Sequence, residues 1–190
     1  MARTSSDTKT RIQDVARELF TEKGVQRTSL QDIATRLGIT KPALYYHFSS
    51  REDLVRSILQ PLIDEGESFV ADHERLRGSA RATPRELLEG YFDFHYRHRA
   101  DLVLVVEELT TLADLGLIDA MLAWRGRLCK LVFGSKPTLR QSTRAVIAFG
   151  GLQDCCLQFP DTPYEQLRKA TVDGAMAALT MVNTLSLIHI

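Results

Sequence analysis

The sequence predicts an all-α fold, with a short three-helix unit at the N-terminus joined to a larger helical domain. Three observations predict it. Apolar residues recur at helical spacing in nearly every segment, and no segment alternates convincingly as a strand; Val103 to Val106 come nearest, but lie between helical patterns. Glycine, proline and hydroxyl residues fall between these segments, where caps and turns need them. The charge also divides. Residues 1–60 carry ten Lys/Arg against seven Asp/Glu and the rest carry fourteen against seventeen, so a chain of net charge zero has a basic end and an acidic end.

The elements follow in order. Ile12, Val15, Ala16, Leu19 and Phe20 form one face of an amphipathic first helix, which Gly24 ends. Arg3 to Lys9, ahead of it, read as a polar, solvated leading tail without an apolar signal core. Thr28 and Ser29 can cap the second helix, with Gln31 placed to close a box back to Thr28. Leu30, Ile33, Ala34 and Leu37 make its apolar face, and Gly38 stops it. Thr40 caps a third helix whose first turn holds Pro42, where a missing N–H costs little. Ser49 or Ser50 caps a fourth, with Glu52 or Asp53 three residues on and a core face of Leu54, Val55, Ile58, Leu59 and Leu62. Pro61 interrupts that helix and favours a kink. Longer helical patterns follow near 84–98, 101–114, 116–133, 138–158 and 163–185, with breaks at Gly78 to Thr83, Gly134 to Pro137 and Phe159 to Pro163. The domain boundary is placed at 54, giving 1–54 and 55–190.

Composition bounds the function. At 190 residues, 44% hydrophobic and 25% charged, the chain is an ordinary globular protein. The thiols Cys129, Cys155 and Cys156 are odd in number and poorly spaced for a metal, so they read as reduced and buried in a cytoplasmic protein. Residues 174–190 hold no Asp, Glu, Lys or Arg, but this stretch is shorter than the roughly 20 apolar residues that a membrane span needs. It reads as a packed terminal helix, with the closing SLIHI expected to be poorly ordered or non-native. No nucleophile, base and cleft are suggested together, so no enzyme and no cofactor are expected.

Three short helices with a glycine turn between the second and third suggest a helix-turn-helix. Ala34 is small where the two helices cross, Gly38 makes the turn, and Leu44 points back into the core. On a helical wheel Leu44 and Phe48 lie 40° apart and define the buried face of 41–48. Tyr46 falls opposite, with Tyr45 and His47 at the edges. Such a helix fits a DNA major groove with its first residues near base edges, while tyrosine hydroxyls, the helix N-terminus and Arg51 can bind phosphates.

The run TSLQDIATRLGITKPALYYHFSSREDL, with the preceding LFTEKG, resembles the N-terminal signature of the TetR family of bacterial transcriptional regulators. The resemblance covers about the first sixty residues. It rests on Thr28, Ile33, Ala34, Gly38, Thr40, Leu44, Tyr45, His47, Phe48, Arg51, Glu52 and Leu54. Pro42 stands where glycine is frequent and Arg51 where lysine is frequent; both keep the physical role. The resemblance implies a homodimeric regulator, usually a repressor, that binds double-stranded operator DNA and is released when a small molecule enters its C-terminal domain. It places Thr40, Lys41, Pro42, Ala43, Tyr45, Tyr46 and His47 at the recognition helix, Ser29 and Gln31 beside it, and Arg51 on phosphate. Lys41 is the candidate for direct base readout, by donation to guanine.

The C-terminal segments add two expectations. The last two long helices are apolar on more than one side: Ala145, Ala148, Leu152, Cys155 and Phe159 form one stripe, and Val146, Phe149, Gln153, Cys156 and Leu157 another. In 163–185 the small residues Ala170, Gly174, Ala177 and Ala178, with Met181, form a second face beside Val172, Ala175, Met176, Leu179 and Val182. These helices are expected to build a homodimer interface about a two-fold axis. Aromatic and polar residues at Phe92, His95, Tyr96, Trp124, Phe149 and Gln153 are the candidates for an effector pocket. His95 and His98, three apart with Glu107 and Glu108 further on, read as surface histidines rather than a metal site. An alternative keeps the DNA-binding head and replaces the small molecule by a protein partner acting on a filled core.

Overall fold

The computed structural model describes residues 5–76, 81–107, 113 and 117–180. Nine helices are defined among them, without strands. They are α1 (Ser5–Lys23), α2 (Leu30–Leu37), α3 (Lys41–His47), α4 (Arg51–Arg75), α5 (Pro84–Arg97), α6 (Arg99–Glu107), α7 (Leu117–Phe133), α8 (Leu139–Gln158) and α9 (Tyr164–Thr180). Arg3, Glu108, Met181, Val182 and the closing SLIHI lie outside the described residues. Val103 to Val106 belong to α6, so that run is helix.

The described residues pack as two units, one within Met1–Glu65 and Ala100–Met121, the other within Gly66–Arg99 and Leu122–Ile190. The division differs from a single cut at 54, because α4 contributes to both units and residues from α6 and α7 join the first.

In the first unit Ile12, Ala16, Leu19 and Phe20 of α1 meet Leu30, Ile33 and Ala34 of α2, Leu44 of α3, and Leu54, Val55, Ile58 and Leu59 of α4. Each of the larger side chains among them contributes about 1.5–3 kcal/mol by leaving water. Leu104 of α6 completes this core, and Arg17 of α1 reaches Asp101 over 2.8 Å. The contribution of α6 had no local signal, since apolar periodicity reports a buried face and not its partner. α1 also begins earlier than its apolar face, at Ser5, because nothing in the polar segment breaks a helix. Lys9 is therefore helical, its ammonium 5.7 Å from the centre of the Phe48 ring, rather than part of a loose tail.

Local chemistry sets the turns. Gly38 ends α2 at φ 71°, a left-handed conformation that costs a β-carbon-bearing residue about 1–2 kcal/mol. The N–H of Ile39 then returns to the carbonyl of Ala34. Thr40 caps α3 by accepting from the N–H of Ala43, and Ser50 caps α4 by accepting from that of Asp53. The cap of α2 is Ser29 with Asp32, not Thr28 with Gln31. Thr28 is buried and its hydroxyl lies 2.9 Å from the carbonyl oxygen of Gly24, which leaves Ser29 to cap. α4 is helical on both sides of Pro61.

In the second unit α9 packs on α8 and α5, and α5 also packs on α8. Thr83 and Thr138 open α5 and α8 with capping boxes closed by Glu86 and Gln141. Arg168 on α9 binds Asp93 on α5 over 2.9 Å, and the Tyr164 hydroxyl donates to the same carboxylate. Arg127 on α7 bridges Glu67 and Glu74 on α4. No described helix is long and apolar enough to cross a membrane.

Candidate functional site

The third helix is two-faced. Leu44 is fully buried and Phe48, its C-cap, is 2% exposed; Tyr45 is 45% and Tyr46 81% exposed. A large aromatic side chain left four-fifths in water at the middle of a seven-residue helix is unsupported by its own fold. Lys41, Pro42 and Ala43 are exposed on the first turn and His47 is half-buried. The Lys41 ammonium stands 5.6 Å from the centre of the Tyr45 ring, and Tyr46 meets His47 edge to face. Ser29, Gln31 and Thr40 are also exposed. All three use their side chains locally: Ser29 accepts from the Asp32 N–H, Gln31 donates to the Thr35 hydroxyl over 3.3 Å, and Thr40 accepts from the Ala43 N–H.

Arg51 is the exception on this face. Its guanidinium donates to the Gln26 carbonyl at 3.0 Å, the Gln26 side chain at 3.1 Å and Glu52 at 3.1 Å. It fastens the α1–α2 loop to α4, and a phosphate would have to displace those acceptors. Its Nε is buried without a hydrogen-bond partner among the described residues.

The six effector candidates fall in the second unit but not in one group. His95, Phe149 and Gln153 gather around Tyr91. The Phe149 ring stands edge-on to Tyr91, and the His95 ring lies 4.0 Å from it, centre to centre. His95 is buried, with Nδ1 2.9 Å from the Tyr91 carbonyl, so the expectation of a surface histidine is overturned. Burial lowers its pKa to about 4 and leaves the ring neutral at pH 7. Gln153 accepts from Arg125 over 2.8 Å. Trp124 sits further along, on Gly66, with its indole N–H donating to Glu67 and its ring edge-on to Phe94. Phe92 and Tyr96 lie in a separate cluster on Tyr164.

Two recesses occupy other ground. One, of about 330 Å³, is lined by His73, Arg81, Ala82, Pro84, Leu87, Leu131 and Val132. A second, of about 660 Å³, adds Glu74, Leu76, Arg127, Lys130, Gly134 and Ser135 to Arg81 and Leu131. Neither uses a predicted effector residue. Aromatic clustering marked where rings pack, and close packing removes the space that a ligand needs.

Residues 12–58 match the sequence model of the family described as bacterial regulatory proteins, tetR family. The family match thus lies in the N-terminal part of the chain. Its similarity to the transcriptional activator FasR of Mycolicibacterium smegmatis is 37% identity over 79 residues, 42% of this chain and 36% of that protein. To the transcriptional repressor KstR2 of Mycobacterium tuberculosis it is 30% over 105 residues, 53% of this chain and 50% of that protein. The chain thus spans half or less of the length of these curated relatives. A solved transcriptional regulator (TerR/AcrR family) from Aquifex aeolicus VF5 superposes with a TM-score of 0.70 at 25% identity, covering 89% of this chain and 98% of that one.

The matched residues run from within α1 into α4, the region where the sequence carried a motif. The second unit holds two polar residues that pattern reading passed over as site candidates, Tyr91 and Arg125. Tyr91 shared a helical face with His95, which was a usable signal. Arg125 had none, since its hydrogen bond to Gln153 joins residues 28 positions apart.

Proposed function

We propose that the chain is a ligand-responsive transcriptional repressor that binds a pseudo-palindromic operator as a homodimer and is released by a small-molecule effector. The observation that carries the DNA-binding part is the two-faced α3, buried through Leu44 and open at Tyr45 and Tyr46. The helix enters the major groove with Lys41, Pro42 and Ala43 toward base edges, and with Tyr45, Tyr46, His47 and Thr40 along the walls. Ser29 and Gln31 reach the groove from the start of α2, and Arg51 takes a phosphate once it leaves Gln26. Repression follows the relative named a repressor; the activator FasR is the reason to measure the sign.

The dimer reading is supported by small and apolar residues left open on α8 and α9. Ile147 is 63% exposed, and Gly151, Ala170, Gly174 and Ala177 are also exposed. A shallow groove of about 200 Å³ runs between the two helices there. A second copy seated on this face by a two-fold axis would set half-sites ~34–36 Å apart or a multiple of it. The close packing around Tyr91 and Trp124 favours, as a second reading, control by a protein partner. In that case no small molecule changes operator affinity.

Selection of bound DNA from a random pool, at one stated salt concentration, tests the proposal. A pseudo-palindrome is expected; well-folded protein that enriches no sequence would refute the DNA-binding reading. On the operator found, Lys41→Ala is expected to relax preference at one base pair, by about 1–3 kcal/mol. An equal loss on every sequence would instead put Lys41 on phosphate.

A further inference from the structure

We infer that α8 pairs antiparallel with α8 of a second copy of this chain, about a two-fold axis at Ile147, with Arg140 set against Asp154 of the partner subunit on either side of the axis. The inference rests on the dimer reading above and names the register and the ion pairs that select the partner. Arg140, Thr143, Ile147, Gly151 and Asp154 are all exposed on α8. At about 100° per residue they fall within about 40° of Ile147, so they form a single open stripe.

The stripe is symmetric about its middle. Thr143 and Gly151 stand one turn before and after Ile147, and Arg140 and Asp154 stand two turns before and after it. Two turns are about 10 Å of helix. A two-fold axis at Ile147 therefore brings Thr143 to Gly151 of the partner subunit and Arg140 to Asp154 of the partner subunit, each contact made twice. A parallel pairing of the same stripes would set arginine on arginine and aspartate on aspartate, which is repulsive.

The charges also stand against their own helix. Arg140 lies in the first turn of α8, which holds no acidic residue, and the last turn holds no basic one. A helix dipole favours the opposite order. Neither charge is stabilised by the helix that carries it, whereas an antiparallel neighbour presents its C-terminal half to Arg140 and its N-terminal half to Asp154. Asp154 has no side-chain hydrogen bond or ion pair among the described residues. Beside the stripe, Gly151, Ala170 and Gly174 line the groove between α8 and α9, and their lack of bulk leaves room for the partner's Ile147. Apolar burial at the groove supplies attraction; the ion pairs fix orientation and reject a partner without the mirrored order.

The test is sedimentation equilibrium on the full chain with two charge reversals, Arg140→Glu and Asp154→Arg, each alone and then mixed. The wild type is expected to be a dimer. Either reversal alone sets like charges together at both pairs and should weaken the dimer about ten-fold or more. Both reversals agree with the dipole of α8, so thermal melts should stay cooperative. An equimolar mixture of the two variants regains opposite charges at both pairs, and should form a heterodimer within about three-fold of wild-type affinity. Loss of fold cannot be rescued in this way. Arg140→Gln and Asp154→Asn, which keep shape and remove charge, should each weaken the dimer less, and no further when combined in one chain. A mixture that assembles no better than its components, or an additive loss in the neutral pair, overturns the inference. A wild-type dimer that both reversals leave unweakened overturns the register alone and leaves the dimer reading standing. A wild-type chain that is monomeric at micromolar concentration removes both.

Discussion

The six-membered ring of Trp124 occupies the space where a β-carbon on residue 66 would lie, and three of its ring carbons fall inside 3.0 Å of that point. This explains a glycine in the interior of α4, where alanine would otherwise be better by about 1 kcal/mol. At this position the sign reverses. Gly66→Ala is expected to cost about 1–3 kcal/mol through displacement of the indole, with a lower denaturant midpoint and altered tryptophan fluorescence. A neutral or stabilising result would mean that the ring yields freely. The sequence displayed the glycine and the single tryptophan, 58 positions apart, but a steric exclusion between them exists only once α7 lies on α4.

At the scale of elements, the caps show how far local pattern reaches. The position of every helix start from α2 to α5 was legible within a residue or two, because hydroxyl side chains satisfy the orphan N–H groups of a first turn. The choice between adjacent Thr28 and Ser29 was not legible. Both can cap, and the choice fell to Ser29 because Thr28 is drawn inside toward the carbonyls of Gly24 and Leu19. Ser29→Ala is therefore expected to lower stability by about 1 kcal/mol in equilibrium denaturation. Thr28→Ser, which keeps the buried hydroxyl, should leave the cap intact. If Ser29→Ala were silent, the capping box with Asp32 would have no energetic weight. That box also holds the Asp32 carboxyl down to about 2, chiefly through the Ser29 backbone N–H. Its contribution is present above the ordinary value of 3.8 and is lost as pH falls through about 2.

Two predictions belong to the whole molecule. The first concerns acid stability. His95 has its pKa lowered from 6.5 to about 4, mainly by burial, with Arg125 and His98 adding repulsion to its protonated form. The unfolded chain takes up this proton first, so the folded state loses stability as pH falls from about 6.5 to about 4. The loss is about 3 kcal/mol in total and none of it is felt above pH 7. His95→Gln keeps a polar side chain and removes the titration. The difference in urea midpoint between wild type and variant should change in the variant's favour from pH 7 to pH 4.5; a constant difference would mean that His95 is protonated without penalty. The second concerns assembly. Ile147→Glu places a charge on the open face of α8, and a dimer formed there should become a monomer by light scattering at micromolar concentration. A dimer that survives the substitution would move the interface elsewhere.

What the sequence determined by itself was the helical class, the turn chemistry and the two faces of α3. These depend on residues within one or two turns of each other, so spacing alone expresses them. The tertiary structure decided which helices share a core. It brought α6 against α1, split the six expected effector residues into separate clusters, and set Arg125 on Gln153. Helical periodicity says that a face is buried but not against what, and a polar side chain takes its role from neighbours that arrive from distant parts of the chain.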